Sequence, residues 1–438
     1  MYKFNFKTDT LMQTTGGYSD FGVPIRDSYV EIRGGFGGRM HCVYYEPVAP
    51  TEKSSIGIVV IHSDGDYSTF NIAPELAKRG YRTLGGQVSN EKSNLEEKFL
   101  DIKHAVQFLK SVDGVRKIVL MGHSGGATLM SGYQAAAENG VSFLKRDCLL
   151  YKAELREELI PADAMLILDS NWGNGSMTLF SVDPAVIDDG CGVKLDPELD
   201  VFNPKNGFDP AGSHYSDAFI RKFYAAQRER NNAIVKKALD RLTLIRQGKG
   251  LYTDDEPFVI AGTAQLKPMN KIFPEDLRFL STTKKPRTLL HKDGSETVEL
   301  VKSLRRPDGG HQPTPSIRAA EFCTVRSYLS NRGVLAGEDY TVKADGAYGI
   351  LWDEVFCCTP GNIKHITAPM LISGMTHGYE YLAAEEIYEN SASRDKTLAF
   401  IEGADHNFGT PEPEKYGDTQ KVLFDRCDQW LSAAGRLL

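Results

Sequence analysis

Residues 115–126 read Val115-Arg116-Lys117-Ile118-Val119-Leu120-Met121-Gly122-His123-Ser124-Gly125-Gly126, and this stretch decides the fold. The run up to Met121 has the composition of a buried strand. The residues beyond the motif, to Asn139-Gly140, read as a helix closed by a glycine. Between strand and helix, Gly122–Gly126 fits G-x-S-x-G. With 41 glycines in 438 residues the five-residue pattern is weak evidence by itself. Its setting gives it a mechanism: a serine on a strained strand-to-helix turn projects from the carboxyl edge of a sheet, and glycines two positions away on either side avoid clashes. The competing reading of Ser124 is a helix N-cap after a glycine turn.

Strand and helix signals alternate outward from this turn. Upstream, the segment Tyr29–Tyr45 alternates around Gly34-Gly35-Phe36-Gly37-Gly38, which suits a hairpin. These glycines run into a second strand, Met40–Tyr45, rather than into a helix, so they are not a dinucleotide loop. A strand at Ile56–Ile61, a helix ending at Arg79-Gly80 and a strand at Tyr81–Leu84 make a β-α-β unit. Ser93 and Glu96 have capping-box spacing, and Leu95, Phe99, Ile102, Val106 and Leu109 predict one apolar helix face. Downstream, Ala164–Asp169 supplies another strand. The alternation then breaks until Pro369–Ser373, a helix around Glu385 and Thr397–Ile401 resume it.

The predicted class is therefore α/β, with a mostly parallel sheet covered by helices on both faces. Residues 1–169 and 360–438 are expected to form its two parts, and 170–359 an inserted cap or lid domain, too long for a loop. The insertion carries a long helical stretch, Tyr215–Arg246, and a hairpin signal at Arg287–Leu304 turning on Asp293-Gly294. Tyr215, Phe219, Phe223 and Ala226 repeat at helical steps, which marks core packing.

Composition removes several function classes. The 51 basic and 58 acidic side chains are interspersed, so no basic stripe offers itself to nucleic acid. The start, Met1–Lys7, has no signal-peptide pattern, and no apolar run approaches a bilayer span. A complete, cytoplasmic chain is expected, with a small-molecule substrate as partner, no membrane association and an open oligomeric state. The 7 cysteines, Cys42, Cys148, Cys191, Cys323, Cys357, Cys358 and Cys427, include no C-x-x-C pair and are read as reduced, mostly buried thiols. Adjacent Cys357-Cys358 receives no function. His214 and His311 lie in the insertion, but no spacing resembles a metal site, so neither metal nor cofactor is expected.

A serine hydroxyl needs a base, and a triad on this scaffold runs serine, acid, histidine along the chain. His406 fits, in the loop Glu402-Gly403-Ala404-Asp405-His406 after the last predicted strand. The strand-elbow-helix at Gly122–Gly126 together with this ending resembles the α/β-hydrolase superfamily, its serine-esterase branch with an inserted cap. The resemblance covers residues 28–169 and 360–435. It implies that Ile61-His62-Ser63-Asp64-Gly65 corresponds to the segment that often reads His-Gly and lends an amide to the oxyanion hole. Ser63 stands where glycine is usual, and Asp64 is taken by analogy as one donor, Gly125 as the other. It also implies an acid after the strand Pro369–Ser373, where no aspartate stands. Glu380 is the nearest carboxylate and the first choice; Asp169, ending the preceding predicted strand, is the alternative, and Glu385 lies on the following helix.

The expectation is a serine hydrolase that cleaves a carboxylic ester of a small or medium organic molecule through an acyl-enzyme. Lactone, thioester, amide and carbon–carbon bond hydrolysis use the same constellation. Chemistry on an aspartate nucleophile is disfavoured because the elbow carries Ser124. The rival from another class is a non-catalytic binding protein on the same fold, left open by the uncertain acid.

Overall fold

Runs of β-branched and aliphatic residues, punctuated by glycine, become the strands of one large sheet. A computed structural model describes residues 22–188, 194–263, 271–307 and 320–438. Met1–Lys7, Cys191, His311 and the last three residues of the predicted loop 306–310 lie outside the described residues. The strands are β1 (Ile25–Arg33), β2 (Arg39–Pro47), β3 (Ile56–His62), β4 (Arg82–Gln87), β5 (Lys117–His123), β6 (Ala164–Leu168), β7 (Pro257–Ile260), β8 (Arg287–Leu290), β9 (Glu296–Glu299), β10 (Glu321–Thr324), β11 (Ala336–Lys343), β12 (Gly346–Ile350), β13 (Met370–Met375) and β14 (Lys396–Ile401).

The 10-stranded sheet has the order β1-β2-β4-β3-β5-β6-β13-β14-β8-β9. From β4 through β3, β5, β6, β13 and β14 to β8 every pairing is parallel, and the strands at both ends are antiparallel. Antiparallel leading strands, a parallel centre and an elbow after a central strand are the α/β-hydrolase fold. Buried residues run almost without a break along β3, β5 and β6, as a sheet covered on both faces requires. Helices Ile72–Lys78 and Thr419–Leu431 cover one face; Leu95–Ser111, Gly125–Asn139 and Tyr381–Asn390 cover the other. No helix among the described residues is long and apolar enough to cross a membrane.

Two local expectations need correction. Helix Leu95–Ser111 buries the predicted face, but its N-cap is Asn94, so Ser93 forms no capping box. Ser93 Oγ instead donates to the Asn90 carbonyl at 2.7 Å, and buried Glu96 accepts the Tyr151 hydroxyl at 2.8 Å. The second concerns 170–359. The predicted hairpin forms as β8–β9, turning at Gly294 with φ +81°, yet β8 pairs with β14 and extends the main sheet. Not all of the interval is therefore a separate layer. An unpaired β14 would leave a row of open amides and carbonyls at the sheet edge, and the hairpin fills it. The rest of the interval holds the long helix Asp217–Arg246 and two small antiparallel pairs, β7–β10 and β11–β12. Tyr215, Phe219 and Phe223 are buried, the first two rings stacked and the Phe219–Phe223 pair tilted, as core packing predicts. His214 is exposed. Among the described cysteines, all are free thiols; Cys42, Cys357, Cys358 and Cys427 are buried, and Cys148 is exposed.

Candidate active site

Ser124 occupies the turn from β5 into helix Gly125–Asn139 with φ 52° and ψ −130°, a conformation that strains any residue with a Cβ. A Cβ on Gly122 would lie 2.4 Å from Ala127 Cα, so glycine is required there, while one on Gly126 would lie 3.3 Å from His62 Cα, a tight contact that a shift of a few tenths of an ångström relieves. Ser124 itself is half-buried. The described non-glycine residues with positive φ are Ser124, Asp169, Leu280 and Phe408. Three of these meet at this edge of the sheet, which is where strain held by surrounding packing marks a functional site.

Asp169 follows β6 and is 1% exposed. Its Oδ2 accepts a hydrogen bond from His406 Nδ1 at 2.7 Å, while Oδ1 accepts the Met375 amide at 2.7 Å. Glu380, capping helix Tyr381–Asn390, also reaches the ring, with Oε2 at 2.9 Å from the same Nδ1. A single Nδ1 proton cannot point at both acids, and the alignment favours Asp169; Glu380 Oε2 is buried with no hydrogen-bond partner. The structure thus brings together His406 and both carboxylates that the sequence left open. Glu385 is elsewhere, paired with Arg287 and accepting the Lys284 amide.

The electrostatics follow from this crowding. Burial pushes the Asp169 carboxyl up to about 6 against the pull of His406, and the nearby Glu380 charge adds to the rise. For His406 burial disfavours the imidazolium, but the Glu380 charge and the Asp169 hydrogen bond outweigh it and hold the ring well above the usual histidine range. Asp169, Glu380 and His406 place one ligand atom each within 4.8 Å of one another, the group among the described residues that could hold a metal ion.

His123, the variable residue of the motif, is a partner that sequence reasoning missed. Its Nε2 lies 2.7 Å from the His406 carbonyl and its Nδ1 lies 2.6 Å from the Tyr67 hydroxyl. Burial holds His123 well below the usual range, so the ring is neutral, and burial holds the Tyr67 phenol protonated. Tyr67 therefore donates to Nδ1, and Nε2–H donates to the main chain of His406. The motif reports a histidine at position 123, but nothing in local spacing reports Tyr67.

A second network joins Asn174 to the loop after β3. Asn174 Nδ2 donates to Ser63 Oγ at 3.1 Å, and Ser63 Oγ donates to Asp64 Oδ1 at 3.0 Å. A Cβ on Gly125 would lie 2.6 Å from Asn174 Oδ1 and 3.0 Å from Ser63 Oγ, so a larger residue there would have to displace those side chains. Burial raises the Asp64 carboxyl, but the His62 hydrogen bond and charge, then Arg332 and Lys98, hold it well below the usual carboxylate range.

No family model matches the chain, and no curated protein matches it. Solved structures similar to it include a hypothetical protein of Pseudomonas aeruginosa, 13% identical over 94% of this chain and 95% of that one, with a TM-score of 0.43. Est1E from Butyrivibrio proteoclasticus is 14% identical over 92% and 97%, with a TM-score of 0.38. Brefeldin A esterase, a bacterial homologue of human hormone-sensitive lipase, is 10% identical over 95% and 79%, with a TM-score of 0.41. The fold assignment rests on the strand order and the elbow.

Proposed function

We propose that the chain is a serine hydrolase that cleaves a carboxylic ester through an acyl-enzyme, with Ser124 as nucleophile, His406 as base and Asp169 as the acid that orients it. The observation that carries this reading is the 2.7 Å bond from His406 Nδ1 to Asp169, at the sheet edge that also bears the strained elbow. That bond commits Nδ1 and leaves Nε2 as the nitrogen available to the serine proton. Attack of Ser124 Oγ on the ester carbonyl puts negative charge on its oxygen, and the amides of Gly125 and Asp64 are the donors assigned to it. Collapse expels the alcohol, which takes the proton from His406. Water, deprotonated by the same ring, then releases the acid and frees Ser124.

The part of 170–359 outside the β8–β9 hairpin is proposed to cover this site. Two of its side chains support that: Asn174 bonds Ser63, and Arg332 Nη2 lies 3.7 Å from Asp64 Oδ2.

A fluorophosphonate probe tests the assignment. The wild-type chain should be labelled on Ser124 and should turn over soluble esters from a panel of varied acyl length. Ser124→Ala should lose both while melting normally, because a half-buried elbow serine makes few packing contacts. Undiminished labelling of that variant would sink the reading.

A further inference from the structure

A buried lysine without a partner stands beside the loop after β3, and we infer that this residue, Lys98, binds a carboxylate that the substrate carries in addition to its ester. The inference rests on the hydrolase reading and names the substrate class of the same site: esters that bear a free carboxylate.

Lys98 is the fourth residue of helix Leu95–Ser111, which follows β4 and so begins at the same carboxyl edge of the sheet as the elbow. It is 2% exposed, and among the described residues its ammonium has neither a hydrogen bond nor an ion pair. Every feature of this placement disfavours a cation. Burial strips the hydration from three donors, the helix dipole is positive near its N-terminus, and the Arg332 charge repels. Burial acts most strongly and pushes the ammonium down to about 8; Arg332 and Lys92 add to the fall, while Asp64 and Glu91 oppose it. Lys98 is therefore still mostly charged at neutral pH, and a buried charge calls for an acceptor.

The protein does not supply that acceptor. Asp64 exerts the strongest opposing charge, but its oxygens are committed: Oδ1 accepts from Ser63 Oγ at 3.0 Å and lies 2.9 Å from His62 Nδ1, and Oδ2 faces Arg332 Nη2 at 3.7 Å. Arg332 Nε lies 3.1 Å from Glu321 Oε1. Glu91 and Lys92 are exposed, where water and salt screen them. Glu97, next in sequence, feels the Lys98 charge without pairing with it. One positive charge is left over. A single carboxylate matches it, whereas a doubly charged phosphate would leave an unbalanced negative charge beside Asp64. The place is also right for a substrate group. Asp64 follows Ser63, whose Oγ would lie 3.0 Å from a Cβ on Gly125, the residue after Ser124. The Asp64 side chain is 28% exposed, so this side of the loop is open to a ligand.

Matched ester pairs on the full chain test the subsite. 4-Nitrophenyl half-esters of succinate, glutarate and adipate, against neutral 4-nitrophenyl esters of the same chain length, put the carboxylate on the acyl side. Acetyl esters of 3-hydroxypropionate and 4-hydroxybutyrate, against acetyl esters of propanol and butanol, put it on the alcohol side. In one of the two series kcat/KM for the best carboxylate ester should exceed that of its neutral counterpart by about tenfold or more, mainly through KM. Lys98→Met keeps the length and apolar stem of the side chain but not the charge, and this ratio should fall on the order of 10²-fold, as for a lost hydrogen bond to a charged group. No preference for the carboxylate in either series, or a variant in which both esters slow together and the ratio stays within about threefold of wild type, overturns the inference. Binding is read apart from turnover by NMR of the chain labelled with ¹³C at lysine Cε, the Lys98 resonance being the one missing from Lys98→Met. Adipate should raise the Lys98 pKa, and an unmoved titration overturns the inference. If the wild-type chain neither hydrolyses an ester nor takes the phosphonate, the hydrolase reading falls, and the adipate titration alone decides whether Lys98 binds a carboxylate.

Discussion

Two acids on one nitrogen make the His406 ring the most informative group in the site. Asp169 is aligned for the hydrogen bond and held at its other oxygen by the Met375 amide, whereas Glu380 contributes charge at 2.9 Å without that alignment. Asp169→Asn should therefore lower kcat by about 10³- to 10⁴-fold, because an amide can hold the wrong tautomer and cannot stabilise the imidazolium. Glu380→Gln should act differently. As the proposed base, His406 works only when neutral, so activity should rise with pH through its pKa, which the Glu380 charge raises. Removing that charge lowers the pKa and should move the rising limb of the kcat/KM profile to lower pH while leaving the plateau largely intact. A plateau that collapses for Glu380→Gln and survives for Asp169→Asn would exchange the two roles. The sequence put Glu380 first and Asp169 second, and the hydrogen bond from His406 favours the reverse order, since the decision depends on which oxygen lies in line with Nδ1. His406 and Ser124 were readable as candidates because each sits in a motif next to a strand end.

At the scale of elements, the sequence was a good guide wherever a pattern is local. The face Leu95, Phe99, Ile102, Val106 and Leu109 is buried as its spacing predicts, and the glycine-closed helix after Ser124 ends at Asn139 with Gly140 at φ +79°. It was a poorer guide where a partner is distant. Ser93 has the right residue type for a cap, yet Asn90 takes its hydroxyl and the helix begins one residue later. The β8–β9 hairpin was visible in Asp293-Gly294, but its attachment to β14 is set by an edge formed by residues 396–401. The turn itself is testable. Gly294 has φ +81°, and a Cβ there would meet nothing within 4 Å, so backbone strain is the penalty that remains. Gly294→Ala should destabilise the chain by about 1 kcal/mol in urea unfolding, with no change in phosphonate labelling. A larger loss, or lost labelling, would mean that the hairpin supports the site as well as the sheet edge.

Over the whole molecule, one edge of the sheet collects residues far apart in the chain. Ser63, Ser124, Asp169, Glu380 and His406 follow β3, β5, β6, β13 and β14, and parallel strands deliver all of these ends to the same side. That convergence was legible from the alternation of strands and helices. What the interval between β6 and β13 contributes was not, because its side chains reach the site through contacts that no local period encodes. Asn174 is the clearest case. It opens a helix just after β6, is buried, and binds Ser63 on the loop that carries Asp64, while its Oδ1 limits the space at Gly125. If this bond fixes the oxyanion loop, Asn174→Ala should lower kcat by about tenfold, since a loop free to shift by a fraction of an ångström aligns its amide poorly. KM should change little, because Asn174 is buried and spends its amide on Ser63. Asn174→Asp tests the direction of the bond: a carboxylate accepts from Ser63 Oγ, draws that hydroxyl away from Asp64, and adds negative charge where the oxyanion forms, so it should be worse than alanine. Steady-state kinetics of the two variants on one ester decides the point, and equal rates for both would place Asn174 in packing alone.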